Sequence, residues 1–458
     1  MKKIALTILG VAISVTANSS KLNTEHSTQI TVENTTGNTV YLQPEELDGY
    51  NKVEGATSTV KIDAAMPCYW RFAAGDQFYS LYVTPGANIH ISCTSDGVSI
   101  TGDNKAENDF IRENTFICRV PAEIKQYSAE WTKYNDEAVA KLYEKLDNSG
   151  LAPEFIATHK LYIRFVYDNQ RLGGVRNAIA FGAGVGRKVE VPEGFYSFLK
   201  GIDFSDRHIL SIPKWFNVID DAMEEMERQE IIEVSNAHYV ARRAAYITND
   251  DVRSMYIVEL LKKMLKKGYF DDFMSHFDEV KSLVTAPEAQ SQLPEILKQY
   301  EKVRKTNLGI SRGMQMPDFT ANDLSGKEYH LNDFKGKVTV LDFWFTGCVP
   351  CKAEIPFLEK LAGELSGDDV CFISVSLDTG NALLAAWRKI IESKDEDCKV
   401  LNLNLPGGFK SDFMKTMNIK FVPRIMLIGK DGKIIDTYAK KPSDPKLRQQ
   451  IKELNTKQ

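Results

Sequence analysis

The run Val338-Thr339-Val340-Leu341-Asp342-Phe343-Trp344 is almost wholly apolar and rich in β-branched residues, and after three intervening residues comes Cys348-Val349-Pro350-Cys351. A run of this kind is what a central strand buried on both faces of a sheet requires. Beyond the second cysteine, Ile355, Leu358, Leu361, Ala362 and Leu365 recur at helical spacing. The pattern then alternates. Strands are expected at 370–377 and 400–405, a helix at 383–391, and a hairpin of 424–428 with 433–436 around Lys430-Asp431-Gly432. A last helix begins near Pro445, capped by Ser443 or Asp444. Strands alternating with helices narrow this part of the chain to a single α/β domain.

The two cysteines have a chemical reading. Cys348 falls where the helix begins, and the backbone N–H groups there are unpaired and carry partial positive charge. A thiolate is stabilised in that position, and cysteines in comparable motifs have pKa values of roughly 3.5–7 against about 8.5 for a free thiol. Such a thiolate attacks a partner's disulfide and forms a mixed disulfide. Cys351, one turn on and on the same helical face, can then attack Cys348, close a Cys348–Cys351 disulfide and release the reduced partner. Pro350 is tolerated because first-turn N–H groups have no helical acceptor. The competing reading, half of a metal site, wants a second cysteine pair or paired histidines. Neither occurs, so no metal and no cofactor are expected.

Two carboxylates could move protons. Asp342 interrupts the apolar run; buried, it would have a raised pKa and could take the proton of Cys351. Glu354, three residues after Cys351, could do the same. The alternatives are a hydrogen-bonded structural acid for Asp342 and a solvated helix residue for Glu354. Pro423, in Phe421-Val422-Pro423-Arg424-Ile425, stands where the bond before it could be cis or trans.

The rest of the chain is less explicit. Lys2 and Lys3, an apolar run from Ile4 to Val15 and the small-residue step Val15-Thr16-Ala17 read as a secretory signal peptide over 1–17. Residues 24–105 show short alternating strands punctuated by turns, as in a small β-sandwich. Residues 106–304 are mostly helical, 305–313 read as a linker, and 314–458 form the α/β domain. The fold class is thus multidomain: an all-β sandwich-like domain, a central α-helical region and a C-terminal α/β domain. Gly182-Ala183-Gly184-Val185-Gly186 lacks the spacing of a phosphate-binding loop and reads as an ordinary loop. Of the other cysteines, Cys68 and Cys93 could face one another across two strands, Cys371 reads as an inert core residue, and Cys118 and Cys398 have no assignment. The net charge of −5 gives no reason to propose nucleic acid as a partner.

The segment from Asp342 through Trp344, Cys348, Cys351 and Glu354 to Pro356 resembles the active-site segment of the TlpA/ResA-like family of the thioredoxin superfamily. Met316-Pro317-Asp318-Phe319 resembles that family's domain opening, and Val422-Pro423 falls at its cis-proline loop. The resemblance implies a thioredoxin fold over about 314–458 and a cis Pro423. It also implies a partner polypeptide lying against Val422, Pro423, Trp344 and Pro350. Glu354 matches a family glutamate near the resolving cysteine, and Asp342 matches the buried acid of thioredoxin itself. The layout ahead of the domain resembles exported proteins of Bacteroidetes-type bacteria. One departure stands out: Gly347 replaces the usual Trp, which removes a flat apolar surface beside the thiolate.

The expected function is therefore a periplasmic thiol–disulfide oxidoreductase that reduces disulfides of other exported proteins, with electrons from a membrane thiol donor. Association with a membrane surface is left open. Two other readings stand beside it: a binding or scaffold protein of the envelope with an accessory redox domain, and a peroxiredoxin-like peroxidase. The last needs a Thr three residues before the attacking Cys, whereas Thr346 is two before Cys348.

Overall fold

A computed structural model gives the fold of residues 28–45, 52–53, 55–62, 64–75, 77–184, 189–233, 238–266, 272–306, 310–367 and 369–456. The expected signal peptide lies outside these residues, as do Val185 and Gly186; Gly182 to Gly184 close helix Val175–Gly184 rather than forming a loop. The chain divides into two compact units: residues up to Gln170 with Arg207–Val218, and Arg171–Asp206 with everything from Ile219 on. The helical stretch 106–304 is thus shared between the units.

Among the described residues the first unit holds eight strands: β1 (Thr28–Asn34), β2 (Val40–Pro44), β3 (Lys52–Val53), β4 (Thr57–Ile62), β5 (Cys68–Ala74), β6 (Gln77–Val83), β7 (Asn88–Thr94) and β8 (Gly97–Gly102). They form two four-stranded sheets, ordered β4-β1-β7-β8 and β3-β2-β5-β6. Alternate residues of each sheet meet in one core: Ile30 and Val32, Ile89 and Ile91 on one side, Val40 and Leu42, Trp70 and Phe72 on the other. This is the period-two pattern of a sandwich with one buried face per sheet. Cys68 and Cys93 lie on β5 and β7, in different sheets, and no disulfide joins them, so the pairing considered for them does not form. Helix Ala129–Asp147 follows, with the Ser128 hydroxyl accepting from the Trp131 N–H, and then helix Pro153–Asn169.

In the second unit, helix Asp250–Lys266 buries Tyr256, Ile257, Leu260, Leu261 and Met264. Its neighbourhood contains an unusual concentration of buried charge. Arg243 is 3% exposed; it donates to both oxygens of Glu227 (3.1 and 2.7 Å) and to Asp220 (2.7 Å). Lys446, fully buried on the last helix (Pro445–Thr456), pairs with the same Glu227. Asp444 caps that helix, its Oδ1 accepting from the Lys446 N–H at 2.9 Å.

The remaining strands are β9 (Thr320–Asn322), β10 (Glu328–His330), β11 (Val338–Trp344), β12 (Val370–Ser376), β13 (Val400–Asn404), β14 (Arg424–Ile428) and β15 (Ile434–Ala439). They make one sheet in the order β10-β9-β13-β12-β11-β14-β15, with β11, β12 and β13 mutually parallel. Every residue of β11 is buried. Leu341 and Phe343 join one core with Ile373, Val375 and Met426. Val338 and Val340 join another with Leu358, Leu361 and Ala362 of helix Val349–Leu365 and Leu447 of the last helix. Of the stretch expected to be a linker, Lys305 and Thr306 end helix Leu293–Thr306, and Ile310 to Gly313 already belong here: Ile310 is in the first of these cores, and the Gly313 N–H donates to the Ile434 carbonyl at 2.8 Å.

Removing one member of a buried ionic cluster strands the others without a counter-charge. Glu227→Ala leaves Arg243 and Lys446 each short of one carboxylate. It is expected to destabilise the second unit by about 3–5 kcal/mol, measured as a lowered urea midpoint followed by tryptophan fluorescence.

Candidate active site

Burial of β11 determines what the site is made of. Side chains alternate along a strand, so with Leu341 and Phe343 on one face, Asp342 and Trp344 must point to the other, toward helix Val349–Leu365. The chain leaves β11 at Trp344 and turns into that helix at Cys348, its N-cap residue. Cys348 and Cys351 are joined by a disulfide and are 6% and 3% exposed. The Cys348 sulfur accepts the Cys351 N–H at 3.2 Å. It therefore sits where an unpaired first-turn amide and the positive end of the helix dipole stabilise negative charge.

The turn between strand and helix is held by a residue the sequence reading missed. Asp378, 2% exposed, accepts the Thr346 backbone N–H at 3.0 and 3.1 Å, the Thr346 hydroxyl at 2.8 Å and the Ser376 hydroxyl at 2.8 Å. The only signal for it in the sequence was a carboxylate at the end of a buried run, Val370 to Leu377. Thr346 Oγ is spent on this bond. The geometry thus matches a positioning turn rather than a hydroxyl aimed at Cys348.

The two acids differ in what they touch. Asp342, 6% exposed, has the Ser374 hydroxyl at 3.3 Å. Burial pushes its carboxyl up to about 7; the Ser374 bond and Lys394 oppose the rise, and the charge of Glu354 adds to it. Glu354 is 7% exposed, not solvated, and both its oxygens are engaged by Ser443, the backbone N–H at 2.9 Å and the hydroxyl at 3.0 Å. This also explains why Asp444 rather than Ser443 caps the last helix.

Trp344 is 1% exposed and packs with Trp387 against the two cysteines. It backs the disulfide and has almost no surface to offer a partner, which corrects its expected place on the binding face. Pro350 is exposed. The Val422–Pro423 bond is cis, and Val422 packs onto the cluster of Trp344 and the cysteines. Gly347 does not leave the surface bare: the ring of Phe345 lies against it, so a Cβ on Gly347 would stand 2.7 Å from Phe345 Cε2. Cys371 lies on β12 beside the Thr339 hydroxyl (3.2 Å), and burial raises its pKa, which makes it a poor thiolate. Among the described residues no three His, Cys, Asp or Glu side chains converge as a metal-binding set.

A parallel-centred sheet with a C-x-x-C at the strand-to-helix turn and a cis-proline loop packed beside it defines a thioredoxin-type dithiol domain. Comparison with known proteins agrees. The Redoxin family matches residues 311–452. The thioredoxin-like protein YneN of Bacillus subtilis (strain 168) is 31% identical over 152 residues, 32% of this chain and 85% of that protein. The thiol-disulfide oxidoreductase ResA of Bacillus thuringiensis subsp. konkukian (strain 97-27) is 30% identical over 142 residues, 31% of this chain and 78% of that protein. Among solved structures, the thioredoxin domain of a thiol-disulfide oxidoreductase from Bacteroides vulgatus is 28% identical, covering 31% of this chain and 97% of that one, with a TM-score of 0.28. The chain belongs to the TlpA/ResA-like branch of the thioredoxin superfamily and is a thiol–disulfide oxidoreductase.

Two outcomes follow from the acids. Asp378→Ala leaves buried donors of Thr346 and Ser376 without acceptors and is expected to cost about 3 kcal/mol, read from urea denaturation of the oxidised protein. Asp342 gives a pH dependence. The folded protein keeps its proton up to about pH 7, whereas the unfolded chain releases it near about pH 4. Between these values the folded state binds more protons, so stability falls as pH rises, by up to ~4 kcal/mol. Asp342→Asn should remove this slope, giving a variant more stable than the native protein at pH above 7 and not at acid pH.

Proposed function

We propose that this chain is an exported, periplasmic reductase of disulfides in other exported proteins, working through Cys348 and Cys351. The observation that carries the reading is the placement of the Cys348 sulfur on the first-turn amide of its helix, at 3.2 Å, with Asp342 buried on the face of β11 that carries Trp344. The reduced enzyme's Cys348 thiolate attacks one sulfur of the partner's disulfide. The new bond joins Cys348 to the partner, and the partner's other sulfur leaves as a thiolate and is protonated. Asp342, in its ionised form, takes the proton of Cys351. The Cys351 thiolate then attacks Cys348, closing the Cys348–Cys351 bond and releasing the partner's second thiol. Two electrons pass to the partner, and a membrane thiol donor restores the dithiol. Glu354, already bonded by Ser443, is the weaker candidate for proton transfer.

Export is supported by the Lys2-Lys3 start with its short apolar run and small-residue step. Among the described residues no helix is long and apolar enough to cross a membrane. The β-sandwich unit would serve interaction or targeting. An envelope-binding protein with an accessory redox domain remains the second reading, since that sandwich belongs to a compact unit separate from the one that holds the cysteines.

The test is chemical. In thiol buffers the native protein should show a two-electron couple near or below about −250 mV, as expected for a reductant, and Cys348→Ser should abolish it. Cys351→Ser should accumulate mixed disulfides with envelope proteins. A couple near about −120 mV would make the protein an oxidant instead.

A further inference from the structure

A groove of about 850 Å³ runs between helix Val349–Leu365 and helix Asn381–Glu392. That is within the size of ordinary binding sites, and no step of the mechanism above uses it. Its lining begins at Thr346 and Gly347, so it opens immediately beside Cys348. Ile355, Leu383 and Ile390 supply an apolar lining, and Leu383 stays 44% exposed in the free protein. An apolar side chain left in water at the lip of a cleft gains most when a partner covers it.

The charges are unequal. Lys394 is already held by Glu359 at 2.9 Å and by Asn402 at 3.1 Å. Lys352 and Lys389 also line the groove, and neither makes an ion pair among the described residues. Against these two cations stands one uncommitted lining acid, Asp395, just past the end of the second helix. At the mouth, Gly347 is exposed and lacks a side chain, with the Phe345 ring lying against it. Any larger residue at 347 would push that ring aside or project over the opening.

We propose that this groove binds the partner polypeptide beside its disulfide, taking a bulky apolar side chain with a neighbouring carboxylate. The apolar residue sits on Leu383 and Ile390, and the carboxylate meets Lys352 and Lys389. Gly347 is the specificity position that keeps the mouth open. The proposal rests on the dithiol function given above and adds the partner's chemistry to it.

The experiment uses the reduced full-length protein and stopped-flow rates with three synthetic peptides. Each carries one cysteine as a mixed disulfide with 2-mercaptoethanol, flanked by Leu-Glu, Leu-Lys or Gly-Glu. Neutral hydroxyethyl disulfide serves as a general substrate. The Leu-Glu peptide should react about tenfold faster than Leu-Lys, the size expected for two partly exposed charge contacts, and faster than Gly-Glu. Each protein's own rate ratio is the readout, so a general change in thiol reactivity cancels. Lys352→Glu with Lys389→Glu should invert the Leu-Glu to Leu-Lys ratio. Leu383→Asp should abolish the preference for Leu over Gly. Lys389 is exposed, so Lys389→Glu alone serves if the double variant fails to fold, and it should at least halve the ratio. Equal rates for the peptides, or ratios unmoved by the substitutions, would overturn the proposal. So would self-association of the native protein that Leu383→Asp abolishes, which would make the groove an interface between copies. No reaction with hydroxyethyl disulfide would sink the dithiol function itself, and this proposal with it.

Discussion

Strand β11 has no face turned to water. Leu341 and Phe343 fill one core and Val338 and Val340 the other, so its register cannot slip by one residue without exchanging two buried faces. That constraint points Asp342 and Trp344 at the active-site helix. It also fixes where the chain emerges, and the turn that follows is tied down by Asp378 on the neighbouring strand's end. The cysteine pair is thus placed by burial upstream and by hydrogen bonds beside it, before any property of sulfur matters.

Three carboxylates near the pair show how donors decide chemistry. Asp378 collects hydrogen bonds from Thr346 and Ser376, and Glu354 collects two from Ser443. Asp342 has one hydroxyl at 3.3 Å and is otherwise desolvated. A carboxyl with few donors in a dry site holds its proton to higher pH. Burial thus raises the Asp342 carboxyl to about 7, while Asp378 and Glu354 tie the active-site turn and the start of the last helix into place.

The pair Phe345 and Gly347 shows a different kind of compensation. The flat apolar surface that a Trp at 347 would have provided is partly restored by the ring two residues earlier. The bare backbone at 347 lets the groove between the two helices reach Cys348. The helical part of the same unit adds Glu227, which binds both Arg243 and the buried Lys446 of the last helix. Such an arrangement is costly to break because each charge is out of water.

The α/β alternation, the buried central strand, the C-x-x-C at a helix start and the hairpin before the last helix were all legible from local pattern. Each depends on periodicity or spacing within a few residues. The sandwich strands of the first unit were legible for the same reason. What the sequence could not tell is where distant residues meet. Asp378 is 32 residues from the Thr346 it holds, Ser443 is 89 from Glu354, and Lys446 is 219 from Glu227. Nor could it tell that Cys68 and Cys93 lie in different sheets, that residues 171–206 belong with the C-terminal unit, or that Trp344 packs with Trp387 against the disulfide. The sequence by itself determined the fold of the redox domain and the cysteine pair at its helix start, because local hydrophobic period and a helix N-terminus are encoded in neighbouring residues. Only the tertiary structure decided which acid stays dry, which is capped and what lies beside Cys348, because solvation and hydrogen bonding are set by what packs around a group.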